Sequence, residues 1–323
     1  MRKSVHFLVV FSLLSIFSTA SADGCKKTQD TKPSFTAESK ITENLEVANY
    51  FLRNADKDAT VASGLKAIHK DDKRKAISST SPAFLDAVGR LVITRASGKK
   101  SICSGSLIAD ENNSKSKVVI TAAHCFKTFK EKVTWETVNR AGEHIKLNAK
   151  LVDIDHAGDN AIVILEQHIS NTKVQPLHID FEYESQITDV AYLYDTQVYV
   201  AGYSADKEIG KNGGVLTYEE SEFLIDGNEY NEKDFSFDDD LAGFTTVNAF
   251  TYGGASGGAI IGYLDLDENG NPKPYLFGII RGGNAGVKQH VSGNGVEGSN
   301  DTRFYNTANM LDRIKDALEI YNN

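Results

Sequence analysis

Three residues of this chain combine chemistry-bearing side chains with positions at the edges of apolar runs. His124 closes the run VVITAAHC, Asp159 lies in HAGDNAIVIL, and Ser256 lies in the glycine cluster YGGASGGAII. A serine hydroxyl is a poor nucleophile until a base removes its proton. A neutral imidazole does this near pH 7, and a carboxylate on its other nitrogen fixes the tautomer and the ring orientation. The expected roles are Ser256 as nucleophile, His124 as general base and acid, and Asp159 as the orienting carboxylate. The glycines around Ser256 permit a tight turn with positive backbone angles. Such a turn can aim the amides of Gly254 and Ser256 at one point and form an oxyanion hole.

These residues need a rigid scaffold that presents them at strand ends or turns. After Pro82, short apolar or alternating runs recur: VGRLVIT, GSLIA, KVVITAA, KLNAKLVDI, AIVIL, VYVAGY, GVLTYE, GAIIGYLDL and YLFGII. Gly, Asn, Asp and Ser separate them. Many short strands with turn signals predict an all-β fold, an antiparallel sandwich or barrel. The chain closes with NTANMLDRIKDALEIY, where Met310, Leu311, Ile314, Leu318 and Ile320 are spaced for one face of a docked helix. DLDENG, at Asp265–Gly270, lacks the acidic twelfth position of a calcium loop, Leu276 standing there, and is expected to turn a hairpin.

Composition narrows the function classes. The chain has 323 residues, 41% of them hydrophobic, enough for a sizeable core. It opens with Arg2, Lys3 and an apolar run from Val5 to Phe17, followed by Ala20-Ser21-Ala22. That layout predicts a secretory signal peptide over residues 1–22, and no other stretch is apolar enough to span a membrane. The mature protein is expected outside the cytoplasm, secreted or periplasmic. Residues 23–83 are polar, with Ile41, Leu45, Ala48 and Leu52 at helical spacing, and read as a partly helical pro-region or lead-in. With 35 Lys and Arg against 44 Asp and Glu, a nucleic-acid partner is not expected. Export allows disulfides among Cys25, Cys103 and Cys125. Cys25, near the cleavage point, is also a candidate lipid attachment site, although ADG before it matches a lipobox poorly. From Glu219 to Asp240 run ten acids and one lysine, read as a solvated surface insertion.

Together, CSGSLI, VVITAAHC, DNAIVIL, GGASGGAI and LFGII resemble the trypsin/chymotrypsin-like serine proteases, in their order of His, Asp and Ser, over residues 84–323. The resemblance implies two packed six-stranded antiparallel β-barrels with the site between them. It implies a Cys103–Cys125 disulfide behind His124, protein or peptide substrates, and no cofactor or metal. The alternative G-x-S-x-G esterase elbow needs a helix after the serine, whereas a strand-like run follows Ser256.

The departures from the family are also informative. Zymogen-type members carry an Asp before the serine, which pairs with a newly freed N-terminus; here Ala255 stands there. Most animal-type disulfides are absent, closer to the bacterial secreted branch. By ungapped count, Phe250 occupies the position that holds an Asp in members cleaving after Lys or Arg. Such cleavage is therefore not expected. Ile280, Arg281, Gly282 and Gly283 are expected to wall the substrate pocket, with Arg281 at the rim or paired with the acidic insertion. The expected function is an exported serine endopeptidase. The rivals are a catalytically silent, protease-like binding protein and an esterase using the same site.

Overall fold

The computed structural model describes residues 72–109, 114–181, 197–222, 244–266, 270–283, 290–292, 295–297 and 301–322. The signal peptide, Cys25, the helical pattern at 41–52 and the acidic stretch from 223 to 240 lie outside the described residues.

Six strands close into an antiparallel barrel: β2 (Val88–Thr94), β3 (Lys100–Ala109), β4 (Lys115–Thr121), β5 (Lys132–Val138), β6 (His144–Asp155) and β7 (Asn160–Ser170), preceded in the chain by the short β1 (Lys75–Ala76). The order is β3-β2-β5-β6-β7-β4, and β4 pairs back onto β3. Closure removes free strand edges and surrounds a dense core. Leu91, Leu107, Val119, Trp135 and Ile162 are fully buried in that core. Trp135 donates from Nε1 to the Gly105 carbonyl at 3.0 Å. Its ring lies where a Cβ on Gly89 would stand, so a larger residue at 89 would displace it.

The second half contains β8 (Leu177–His178), β9 (Gln197–Gly202), β10 (Thr217–Glu222), β11 (Phe244–Asn248), β12 (Ala259–Leu266), β13 (Pro272–Gly283), β14 (His290–Ser292), β15 (Gly295–Glu297) and β16 (Asp301–Asn306). Six of these follow one another antiparallel in the order β10-β9-β12-β13-β16-β11. Among the described residues no β11–β10 pairing closes this second set. Its core holds Val198, Val200, Ile260, Phe277, Ile280 and Phe304. The two-residue β8 is parallel to both β3 and β13 and joins the halves into one sheet path. β12 and β13 form the hairpin expected around DLDENG. β14 and β15 form a separate small hairpin.

Helix α1 (Leu311–Asn322) ends the fold. Ile314, Ala317 and Leu318 are buried, as is Met310 just before it, whereas Ile320 is 68% exposed. At about 100° per residue, position 320 has turned off the stripe that 314 and 318 share. Asn322 Oδ1 accepts from the Lys117 amide, and Arg313 pairs with Asp153, fastening the helix to the first barrel. No helix among the described residues is long and apolar enough to cross a membrane.

The packed structure begins ahead of Phe84. β1 pairs with β10, Ile77 N–H donates to the Leu216 carbonyl, and Arg74 is buried.

Candidate active site

The buried end of β4, Val118–Thr121, runs into a single 3-10 turn, Ala123–Cys125, which carries His124. Ala122 and Ala123 have no exposed surface, so the turn presses directly on its surroundings. A disulfide joins Cys103 on β3 to Cys125, closing a 22-residue separation immediately behind the histidine. The His124 side chain itself is 45% exposed.

Asp159 precedes β7 in a left-handed backbone conformation, φ 50°, which Asp tolerates better than most residues. Its Oδ1 accepts from the His124 backbone N–H at 2.9 Å, and its carbonyl accepts from the Ala123 N–H. The His124 ring donates from Nδ1 to Oδ2 at 2.8 Å. With Nδ1 committed to a buried carboxylate, the neutral ring presents Nε2 as a proton acceptor.

Ser256 follows Gly254, whose φ of 96° makes the turn. Behind it, Gly257 has φ 81°, and a Cβ there would sit 2.1 Å from Thr121 Oγ1 and 2.2 Å from the Ser104 carbonyl. The turn carrying Ser256 thus packs directly onto the end of β4 that carries His124. The Ser104 amide donates to the Ser256 carbonyl at 2.7 Å, next to the disulfide. In this state the Ser256 hydroxyl donates to the Arg281 carbonyl at 3.2 Å. Among the described residues His124 Nε2 carries no hydrogen bond, and neither do the amides of Gly254 and Ser256.

The pocket candidates separate. Ile280 is fully buried in the second core beside Ala255 and Phe304, so it offers its backbone alone: its carbonyl accepts from Gly257 N–H and its amide donates to Gly258 O. One residue along β13, Arg281 points the other way. Its Nε lies 3.3 Å from Asp159 Oδ2, so its guanidinium engages the carboxylate that also holds the His124 ring. Strand alternation explains the difference: burying 280 aims 281 at the site. Among the described residues nothing lies within 4 Å of a would-be Cβ at Gly282; Gly283 ends β13.

Phe250 is buried, and its amide donates at 3.1 Å to Oε2 of Glu219. Sequence reasoning placed Glu219 in the solvated acidic insertion. It is instead a β10 residue with 6% exposure. Burial pushes its carboxyl above the usual range, against the Phe250 amide, which lowers it. The available signal was position: Glu219 closes GVLTYE, a strand pattern, and most of the acids lie beyond it.

A model of the lysyl endopeptidase C-terminal domain matches residues 73–210, a span that holds His124 and Asp159 and ends before Ser256. The solved structure of GrC is 19% identical and covers 76% of this chain and 99% of its own, with a TM-score of 0.51. The chain has the trypsin/chymotrypsin-like serine protease fold. The protease Anisep from Arthrobacter nicotinovorans is 16% identical over 72% of this chain and 92% of its own, with a TM-score of 0.43. No curated protein matches the chain significantly. In the trypsin-like fold described above, the closed first barrel supplies His124 and Asp159, and the second half supplies Ser256, Arg281 and Phe250.

Proposed function

We propose that this protein is an exported serine endopeptidase with His124, Asp159 and Ser256 as its catalytic residues. The observation that carries the reading is the Asp159 carboxylate, which binds both the backbone and the ring of His124 at the strand end onto which the turn of Ser256 packs. In the proposed reaction the Ser256 hydroxyl turns from the Arg281 carbonyl to His124 Nε2. Nε2 takes the proton as Oγ attacks the scissile carbonyl carbon. The amides of Gly254 and Ser256 receive the oxyanion. His124 then returns the proton to the leaving amine, and the C–N bond breaks to give an acyl-enzyme. A water deprotonated by the same ring hydrolyses it.

Residues 1–22 would direct export, and the polar region after them would be a pro-segment. The test is a fluorophosphonate probe together with cleavage of a peptide library read by mass spectrometry. Labelling confined to Ser256, and loss of labelling and hydrolysis in Ser256→Ala with the fold retained, are the expected results. A triad loss of this kind removes on the order of a millionfold in rate. A folded native chain that neither labels nor cleaves would favour the silent binding protein; cleavage of esters without peptides would favour the esterase.

A second reading concerns specificity. The expectation against Lys or Arg rested on Phe250 carrying no carboxylate. Glu219 brings one to the Phe250 backbone, and the matching family model is that of lysyl endopeptidases. Both favour a pocket that takes lysine before the cleaved bond.

A further inference from the structure

The turn that carries the oxyanion amides is held from one side by the segment after β9. Ala205 N–H donates to the Gly253 carbonyl at 2.7 Å, and Tyr252 N–H points to Ser204 Oγ at 3.4 Å. Ser104 Oγ bridges the two pieces, accepting from Tyr203 N–H at 2.8 Å and donating to the Gly254 carbonyl at 2.9 Å. In zymogen-type members a buried ammonium pairs with an Asp beside the nucleophile. Ala255 offers no such carboxylate, and it packs tightly on Gly202.

A different cation reaches this turn. Arg74 lies ahead of both halves of the fold in the chain, yet its side chain is 2% exposed. Its Nη1 donates to Asp206 Oδ2 at 3.0 Å and lies 3.4 Å from Thr217 Oγ1. Thr217 Oγ1 in turn bonds the Gly202 carbonyl and lies 3.3 Å from Ser204 Oγ. Asp206 is itself fixed, since its Oδ1 accepts from the amides of Ile209 and Gly210. The Arg74 guanidinium also stacks over the Tyr252 ring, 4.3 Å from its centroid. Asp72, with a fully buried side chain, clamps the far side of the guanidinium at 2.7 Å. One buried cation therefore touches both the segment that supports the turn, through Asp206, and the turn itself, through Tyr252. β1 pins the segment that carries it, with Lys75 opposite Tyr218 and Ala76 opposite Thr217.

We propose that the docked segment Asp72–Ile77 is a built-in activator of the oxyanion turn, with Arg74 as its positioning residue. The idea rests on the serine endopeptidase reading. Arg74 performs from the side, by cation–π stacking and a buried ion pair, the ordering that a newly freed α-amino group performs in zymogen-type members. Any cut that releases the preceding polar region must then fall before Asp72. A cut after Arg74 or Lys75 would remove Arg74 and leave a folded but slow enzyme.

The test compares the full-length native chain with Arg74→Met, Tyr252→Leu and the double variant. It measures kcat and KM on a peptide amide, each per folded molecule from thermal unfolding, and the affinity for a peptide aldehyde that mimics the tetrahedral intermediate. Each single variant should lose roughly tenfold or more in kcat with KM within about twofold, and aldehyde affinity should fall in parallel. The double variant should lose no more than the worse single variant, because both break one contact. Millimolar methylguanidinium should restore part of the rate to Arg74→Ala. The proposal is overturned if the rate per folded molecule of either single variant stays within twofold of native, or if the two losses multiply as independent sites do. A native chain with no labelling and no hydrolysis overturns the endopeptidase reading, and this proposal with it.

Discussion

Asp159 serves two neighbours at once. The His124 ring and the Arg281 guanidinium both meet Oδ2, so Arg281 helps to fix the carboxylate that holds the ring. Arg281→Met is expected to lose only about two- to fivefold in kcat/KM, because the contact is partly exposed. Steady-state kinetics on a peptide amide check this. Glu219 raises a separate question at the same scale. If it underlies the pocket, Glu219→Gln should abolish a lysine preference in the peptide library while leaving fluorophosphonate labelling of Ser256 intact. A native library profile with no lysine preference would remove the second specificity reading and leave the catalytic one standing.

At the scale of elements, the site depends on the close approach of two turns from different halves. Gly257 lies where the turn carrying Ser256 meets Thr121 and Ser104, in a backbone conformation that L side chains resist. An alanine there faces backbone and a buried hydroxyl, neither of which can swing away. Gly257→Ala should cost on the order of 2–4 kcal/mol of stability, from overpacking and left-handed strain together. It should also lower turnover of the molecules that remain folded, because separating the turns moves Ser256 from His124. Urea unfolding combined with active-site titration separates the two effects. The Cys103–Cys125 disulfide holds the other side of the same junction. In the chain-entropy view a loop of this length contributes about 3 kcal/mol.

Across the whole molecule, buried ionisable groups set how stability follows pH. Arg90 and Glu136 face each other on β2 and β5, and Nε donates to Oε1 at 3.0 Å. Burial alone would raise Glu136, but His144, the Arg90 guanidinium and Lys146 outweigh it and hold the carboxyl at about 2. Its contribution is full above the ordinary Glu value of 4.5 and is lost as pH falls toward about 2. Asp86 behaves in the opposite sense. Burial pushes it up to about 6, against the Arg140 amide and charge. Its contribution is full below 3.8 and is lost as pH rises through about 6, where a buried carboxylate must ionise. Each shift is worth on the order of 3 kcal/mol. From these two groups, unfolding free energy should peak at about pH 4, between the ordinary carboxyl values of 3.8 and 4.5, where Glu136 has gained most of its contribution and Asp86 has lost little. Asp86→Asn should flatten the alkaline flank, and urea unfolding across pH 3 to 8 measures both flanks.

Much of this was legible in the residue order. VGRLVIT, at Val88–Thr94, is β2 to the residue, and the apolar runs after Pro82 fall on strands because strand burial leaves a local imprint on the chain. β5 escaped that reading. KVTWETV offers only Val133 and Trp135 in alternation, and Glu136 reads as a surface charge although Arg90 buries it from another strand; a partner 46 positions away leaves no local mark. His124, Asp159 and Ser256 could be selected because turn glycines, alanines and flanking strands surround them in sequence. What each pocket residue does could not. Whether residue 280 or 281 faces the site depends on the register of β13 against β16, where the pairing slips between Ile280 and Gly282. Arg74 and Glu219 look like members of charged surface runs. Only the tertiary structure buries them, because Asp206 and Phe250 reach them from more than 30 residues away, and pairing at that distance is decided by packing and not by local propensity.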